Sequence, residues 1–247
     1  MKRFPPLLAA LAAVIVGLGA ANAFAQGFTG AQRDEIRELV RSYLLANPEI
    51  IVEALNLLEE RQKAEEAASR TTVLRERLAE LRDDPRTPAF GPPGADVAIV
   101  QFFDYRCPYC KQVVGPLAEL QRGDGRVRIV YKELPILGPD SVVAARAALA
   151  AHLQGAYQRF HAALMARRGA YDDAAIGAIA AELGLDAARL RADMNRPEIA
   201  AQIDRNRVLA RDLGIRGTPA FVIGAELVPG AIDLETMRGL IAKARQR

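Results

Sequence analysis

Apolar residues recur at helical spacing through most of residues 30–82, which predicts a long helical segment. Asn47, Pro48 and Glu49 interrupt this pattern in the order that suits a new helix, because Asn caps a helix and Pro fits its first position. The stretch 61–70 is charged and alanine-rich, so the segment buries little within its own chain. The apolar stripe continues on both sides of it, which favours packing on other copies of the chain. A solvated stalk and an arm folded onto its own domain are the alternatives.

A cluster of helix-breaking residues ends this segment. Residues 83–94 contain four prolines and two glycines, a composition typical of a linker or a domain boundary. We therefore expect an N-terminal helical arm at 26–83, a linker at 84–95 and the main domain at 96–247.

The pattern after the linker changes to short apolar runs typical of buried strands. These runs lie at 97–103, 127–131, 220–223 and 226–228. Helical spacing begins at Tyr109, alanine-rich helices fill about 139–213, and a last helix covers 233–243. The order β-α-β, a block of helices, then β-β-α predicts an α/β fold with a helical insertion.

The first 25 residues have the pattern of a secretory signal peptide. A basic start precedes an apolar run at 7–21, and Ala23 and Ala25 are the small residues that a signal peptidase reads. The run of about 15 residues is shorter than the roughly 20 that span a bilayer, which argues against an uncleaved anchor. We expect cleavage before Gln26 and a periplasmic protein, in a compartment where disulfides persist.

Composition narrows the classes of function. The 247 residues are 51% hydrophobic and 26% charged with a net charge of +3, which is ordinary for a globular protein. No basic patch interleaved with aromatic residues points to a nucleic-acid partner. Two His exclude a His-rich metal cage, and the chain has two Cys.

The two cysteines stand where the first strand gives way to a helix, in the order Cys107-Pro108-Tyr109-Cys110. A thiol at the start of a helix has its thiolate stabilised by backbone N–H groups and the helix dipole. Pro108 has the φ angle that the first helical turn needs. The spacing lets Cys110 attack a mixed disulfide on Cys107, so the pair can cycle between dithiol and disulfide. We expect Cys107 to be the exposed nucleophile and Cys110 the buried resolving thiol.

Three other interpretations of the pair are weaker. A structural disulfide would close too short a loop to constrain the unfolded chain much. A zinc site needs four ligands, whereas both His lie far away in the helical block. A copper(I) site suits two thiolates and stays open.

Several segments of the sequence resemble segments of known protein families. The segment 102–111 resembles the active-site segment of DsbA-family thiol:disulfide oxidoreductases of the thioredoxin superfamily, and 217–222 resembles that family's cis-proline loop. The stretch 131–138 resembles a recurrent stretch of one DsbA subgroup. Together with the helical insertion at 139–213, the likeness covers residues 97–245. The N-terminal helices resemble the oligomerisation arm of ScsC-type (suppressor of copper sensitivity) proteins and, more loosely, that of DsbC/DsbG-type isomerases.

The resemblance implies a thioredoxin fold with an inserted helical domain, preceded by the arm. It implies a cis bond between Thr218 and Pro219 beside the cysteines, where Thr218 offers backbone groups to an extended client strand. An ordinary turn proline is the alternative.

Gln101 departs from the family, which often has a buried Glu at this position. A Gln cannot ionise, so Cys110 would depend on another base, such as Glu133 or water. Alternatively, Gln101 only satisfies local hydrogen bonds. Tyr109 replaces the His more typical of an oxidase, which implies a milder oxidant.

Four other polar residues receive structural interpretations. Lys111 and Lys132 are interpreted as solvated surface charges that could stabilise the thiolate, and His152 and His161 as surface or packing residues of the helices.

These observations predict a protein disulfide oxidase or isomerase that requires no metal or organic cofactor. Its partners would be unfolded or misoxidised cysteine-containing proteins, a membrane redox protein that resets the active site, and copies of itself through residues 30–82. The arm favours an isomerase, since it would place several active sites around one client. A copper(I) relay protein that uses the same thiolates is the alternative, and an inert scaffold disulfide is a third.

Overall fold

The computed structural model describes residues 28–92 and 94–246, so the predicted signal peptide lies outside the described residues. The described residues divide into two compact units between Ala64 and Glu65. Among them, no helix combines the length and the apolar character that crossing a membrane requires.

The first unit is helical. It contains α1 (Gly30–Ala46) and the first part of α2 (Glu49–Glu76). Thr29 and Gln32 form a capping box that satisfies the first N–H groups of α1. No residue of α1 is buried, and Leu39, Tyr43 and Leu55 each expose more than half of their surface. This unit therefore has apolar surface that its own residues do not cover.

The second unit is built on one mixed sheet. Its strands are β1 (Ala89–Phe90), β2 (Val97–Phe103), β3 (Val127–Glu133), β4 (Ala220–Ile223) and β5 (Glu226–Pro229). They lie in the order β1-β3-β2-β4-β5, with β2 and β3 parallel and the other neighbours antiparallel. Every residue of β2 is buried, because helices cover both faces of the sheet.

Further helices of this unit follow the end of α2. They are α3 (Leu78–Arg82), α4 (Pro108–Gln112), α5 (Val114–Gly123), α6 (Pro139–Leu153), α7 (Tyr157–Ala166), α8 (Asp173–Glu182), α9 (Ala187–Met194), α10 (Pro197–Asp212) and α11 (Leu234–Arg245). Helices α6 to α10 occupy the predicted insertion. The helices of the insertion are separated at three glycines, which have positive φ angles: Gly155 (70°), Gly169 (104°) and Gly184 (68°). Glycine adopts this conformation without strain. The predicted thioredoxin fold with added helices is confirmed.

Alternation along the strands sends side chains to two cores. Ile99, Phe103 and Phe221 point into the core that contains both cysteines, whereas Val100 and Val222 belong to the core on the other face. This period of two places neighbouring strand residues in different surroundings.

The end of the N-terminal segment differs from the sequence-based expectation. Leu74 and Leu81 are buried in the second core, and β1 pairs with β3 inside the predicted linker 84–95. Lys132, predicted to be a surface charge, is buried: its Nζ donates to the Glu80 carbonyl at 2.8 Å and to Thr87 Oγ1 at 3.0 Å. These contacts join residues 65–90 to the sheet, so the boundary between the compact units lies well before residue 83.

Candidate active site

The two cysteines lie at the start of α4, where the carboxyl end of β2 leaves the sheet. Cys107 is the N-cap residue and Pro108 occupies the first helical turn. The helix that the sequence predicts from Tyr109 onward divides at Val113 into α4 and α5. The spacing of three places both thiols on one turn, in agreement with the prediction.

Cys107 faces the loop that precedes β4. Its Sγ donates to the Thr218 carbonyl oxygen at 3.1 Å, and the Thr218–Pro219 bond is cis. The Pro219 carbonyl accepts from the Gly230 N–H at 2.8 Å, which joins this loop to the end of β5. The structure thus brings Cys107, Cys110 and Thr218 together, and it has the cis bond that the resemblance implies.

The expected exposure of Cys107 is wrong. Only 3% of its surface is exposed, because the thiol turns inward to the Thr218 carbonyl. Cys110 is fully buried as expected, and burial raises the pKa of its thiol well above the usual value, against a hydrogen bond from the Asp104 backbone. Tyr109 between them is 59% exposed, so it forms the outer surface of the turn.

Glu133 lies at the end of β3, next to Phe103 in the register. Its Oε1 accepts from the hydroxyls of Tyr157 at 2.7 Å and Tyr105 at 3.0 Å. Tyr105 also shares a hydrogen bond with His161 Nδ1 at 3.0 Å. Burial raises the pKa of Glu133 to about 8 and lowers that of His161 to about 3. The hydrogen bonds of the Glu133 side chain go to these tyrosines, not to Cys110.

Gln101 is buried on the sheet face that contains Phe103 and Ile99. Its Oε1 has no hydrogen-bond partner among the described residues. The interpretation that Gln101 satisfies local hydrogen bonds therefore finds no support at this oxygen.

Lys111 follows Cys110 and is tied to the helical insertion. Its Nζ donates to the Arg167 carbonyl and to the Tyr171 hydroxyl, and burial lowers its pKa. The Tyr171 hydroxyl also donates to the Tyr105 carbonyl at 2.9 Å. Lys111 thus connects the active-site turn to the insertion and is not a solvated surface charge.

Sequence reasoning missed the polar groups that surround the turn. Asp104, Tyr105, Tyr157 and Tyr171 are buried and hydrogen-bonded, yet only Asp104 and Tyr105 lie near the cysteines in the sequence. An acidic residue directly after a fully buried strand was the available signal for Asp104. Tyr157 and Tyr171 had none, since they come from the distant insertion.

A cavity of about 870 Å³ adjoins the cis-proline loop. Its lining includes Arg216, Thr218, Pro219, Leu227 and Gly230, and α2 contributes Glu65, Glu66, Ser69 and Arg70. Among the described residues, no group of three or more His, Cys, Asp or Glu side chains is placed to hold a metal ion.

Comparison with known proteins agrees with this geometry. The DSBA-like thioredoxin domain matches residues 98–242, and the N-terminal domain of the copper resistance protein ScsC matches 32–65. A thioredoxin-like oxidoreductase from Silicibacter pomeroyi is 44% identical, with a TM-score of 0.67 over 68% of this chain and 98% of its own. A linker-deletion mutant of Proteus mirabilis ScsC is 29% identical, with a TM-score of 0.67 over 90% of this chain and 98% of its own.

Curated relatives also include much longer proteins. The Na(+)/H(+) antiporter NhaA of Herminiimonas arsenicoxydans is 30% identical over 157 residues, a match that covers 63% of this chain. This chain spans about a quarter of that relative's length. By its domain match and its structural neighbours, the chain belongs to the family of DsbA-like and ScsC-like thiol-disulfide oxidoreductases, with a DSBA-like thioredoxin domain and an ScsC N-terminal domain.

Proposed function

We propose that this protein exchanges disulfides with client proteins in the periplasm through Cys107 and Cys110, without a metal or an organic cofactor. The observation that carries the proposal is the position of Cys107: it is the N-cap residue of α4, and its Sγ lies 3.1 Å from the Thr218 carbonyl oxygen of the cis-proline loop. The N-terminal sequence pattern supports export to the compartment where disulfides persist.

The exchange proceeds through a mixed disulfide. In the oxidising direction, a client thiolate attacks Cys107 Sγ, the bond to Cys110 breaks, and Cys110 leaves with the electron pair and takes a proton. A second client thiolate then attacks the client sulfur and releases Cys107, so the client is oxidised and the cysteine pair is reduced. Burial raises the pKa of Cys110, which favours its protonated form after it leaves.

The cavity beside the cis-proline loop is the proposed place for the client chain. Thr218 and Pro219 contribute to its wall, and Cys107 faces the carbonyl of Thr218. An extended client segment next to this loop would bring its cysteine to Cys107 and leave its backbone free to pair with Thr218. A membrane redox protein would reset the pair after each exchange.

The N-terminal unit supports isomerisation rather than oxidation by a monomer. Its exposed apolar residues suit packing on further copies of the chain, and several active sites could then reach one client. Such a protein would hold its cysteines reduced and attack incorrectly paired disulfides.

The proposal is tested by recovery of ribonuclease activity from scrambled ribonuclease, with oxidation of a reduced two-cysteine peptide as the parallel assay. We expect wild-type protein to restore ribonuclease activity and the Cys107→Ala variant to restore none. If the Cys107→Ala variant still carried out both ribonuclease recovery and peptide oxidation, the proposal would be wrong. Peptide oxidation without ribonuclease recovery would assign the oxidase direction instead.

Copper(I) relay is the second candidate. The family matched by residues 32–65 is described as a copper resistance protein, and two adjacent thiolates suit a soft cation. Reduced protein that retains one copper(I) per chain, together with failure in both exchange assays, would favour this candidate.

A further inference from the structure

Asp104 is the buried acidic residue between β2 and the first cysteine. Its carboxyl group accepts four hydrogen bonds, although only 1% of its surface is exposed. Oδ1 accepts from the Arg106 N–H and the Ser141 hydroxyl, each at 2.8 Å. Oδ2 accepts from the N–H groups of Ile136 at 2.8 Å and Leu137 at 3.0 Å. Both oxygens are thus satisfied by donors, as a carboxylate removed from water requires.

The four donors belong to three parts of the chain: the active-site turn, the loop after β3 and helix α6. Arg106 belongs to the turn, Ile136 and Leu137 to the loop after β3, and Ser141 to the first turn of α6. The guanidinium of Arg106 adds a bond to the Leu137 carbonyl at 2.7 Å. The side chain of Asp104 therefore connects the active-site turn to the loop after β3 and to helix α6, neither of which contains a cysteine.

The backbone of Asp104 contacts both cysteines. Its carbonyl accepts from the Cys107 N–H at 3.1 Å, and its backbone is close enough to the Cys110 thiol to lower the pKa of that thiol against the larger effect of burial. The residue whose side chain accepts four hydrogen bonds is therefore also bonded through its main chain to the backbone of Cys107, and it lies next to the Cys110 thiol.

We propose that Asp104 is a positioning residue that holds Cys107 and Cys110 in the arrangement from which their disulfide forms. The inference rests on the proposed disulfide exchange and adds a residue to it. Holding two reacting groups in place raises their effective concentration, which favours the closed disulfide over two separate thiols. Loss of the side-chain bonds would loosen the turn and shift the pair towards the dithiol.

The test is the redox equilibrium of the full chain with glutathione. In this reaction the dithiol loses two electrons and two protons to form the disulfide, and glutathione disulfide is reduced to two glutathione molecules. Asn in place of Asp104 presents an NH₂ group to at least one pair of donors. We expect Asp104→Asn to lower the equilibrium constant for disulfide formation about tenfold, or about 30 mV for this two-electron couple.

Two further variants separate positioning from folding. Asp84 is a matched control because it is also buried and also accepts from the N–H two residues later, that of Arg86. It lies three residues after Leu81 of the second core and near Lys132, whereas both cysteines belong to the first core. Asp84→Asn should lower the melting temperature and leave the equilibrium constant at the wild-type value. Ser141→Ala removes one of the four hydrogen bonds to Asp104. It should lower the equilibrium constant for disulfide formation about threefold, because the two thiols are then held in place less firmly.

The outcomes are distinct. Wild-type equilibrium constants in both Asp104→Asn and Ser141→Ala would overturn the inference, and Ser141→Ala alone decides if Asp104→Asn does not fold. An equal shift in Asp84→Asn would also overturn it, because the effect would then follow stability. A wild-type protein that forms no Cys107–Cys110 disulfide with glutathione would instead contradict the proposed function.

Discussion

Glu133 shows how one buried residue links the active-site turn to the helical insertion. Its Oε1 accepts hydrogen bonds from the hydroxyl of Tyr105, which lies two residues before Cys107, and from the hydroxyl of Tyr157 in α7. Its Oε2 is buried without a hydrogen-bond partner among residues 28–92 and 94–246. Burial makes ionisation of this carboxyl unfavourable, which is why its pKa is raised to about 8.

This shift predicts a pH dependence of stability. Above pH 4.5 the unfolded chain loses the Glu133 proton, whereas the folded protein keeps it up to about pH 8. The free energy of unfolding therefore falls as the pH rises from 4.5 towards about 8. The slope attributable to one proton is at most about 1.4 kcal/mol per pH unit. We expect the Glu133→Gln variant to lack this component in urea unfolding between pH 5 and 8.

His161 has the opposite trend below pH 6.5, since burial lowers its pKa to about 3, but it is present in both proteins. The exposed Glu182→Gln is the control and should keep the wild-type slope. Equal slopes in wild type and Glu133→Gln would show that Glu133 does not titrate in this range.

Gln101 gives a kinetic prediction. We expect a carboxyl at this position, on the sheet face of the core that contains both cysteines, to act as a base for the Cys110 thiol. We expect Gln101→Glu to add an inflection to the pH–rate profile of mixed-disulfide resolution and to raise its plateau about tenfold. Gln202→Glu, a buried Gln that donates to Thr87 at the other core, should not change the profile. An unchanged profile in Gln101→Glu would remove this residue from the chemistry.

The residues that carry the proposed chemistry were more predictable than those that support them. Cys107, Cys110 and the Thr218–Pro219 pair stand in short motifs, and motifs are local in the sequence. The partners of Glu133 and Lys111 come from Tyr157 and Tyr171, which only the folded chain brings near the turn. The orientation of the Cys107 thiol also depends on a contact with a residue 111 positions away.

At the scale of elements, the strands of the sheet follow directly from the sequence. The runs at 97–103 and 220–223 coincide with β2 and β4, because both strands are buried on two faces and consist almost entirely of apolar residues. Two-residue β1 was missed, since its pairing with β3 is a tertiary contact and its neighbours Pro88 and Gly91 are typical of a loop.

Leu81 tests the assignment of residues 65–90 to the sheet domain. It is fully buried in the second core, so Leu81→Ala should lower the free energy of unfolding by about 2–5 kcal/mol. Leu153→Ala, at an exposed position at the end of α6, should change it by less than about 0.5 kcal/mol. Similar small effects in both variants, measured by urea unfolding, would place Leu81 outside the stable core.

The N-terminal helices give a second prediction at this scale. Leu39 and Leu55 each expose more than half of their surface, and a lysine there would be unfavourable in an interface between copies. We expect multi-angle light scattering to give a multiple of the chain mass for wild type and the monomer mass for the double variant Leu39→Lys/Leu55→Lys. Glu38→Lys, an exposed polar position, is the control. A monomeric wild type would remove the reason to prefer isomerisation.

At the scale of the whole molecule, the added helices do more than enlarge the fold. Tyr171 donates to the carbonyl of Tyr105 and accepts from Lys111, while Tyr157 and His161 contact Glu133 and Tyr105. The insertion therefore holds the active-site turn from one side, and the cis-proline loop faces Cys107 from the other. The sequence order of strands and helices predicts that the insertion exists, but not that it supplies these contacts.

The role of Cys107 as the attacking sulfur is tested by trapping its mixed disulfide. A chain that lacks the resolving thiol, Cys110→Ala, is mixed with a peptide that contains one disulfide, and the products are separated without reductant and identified by mass. We expect a covalent adduct through Cys107 in this variant and none in Cys107→Ala. An adduct of equal yield through Cys110 in Cys107→Ala, or no adduct in either variant, would show that Cys107 is not the attacking sulfur.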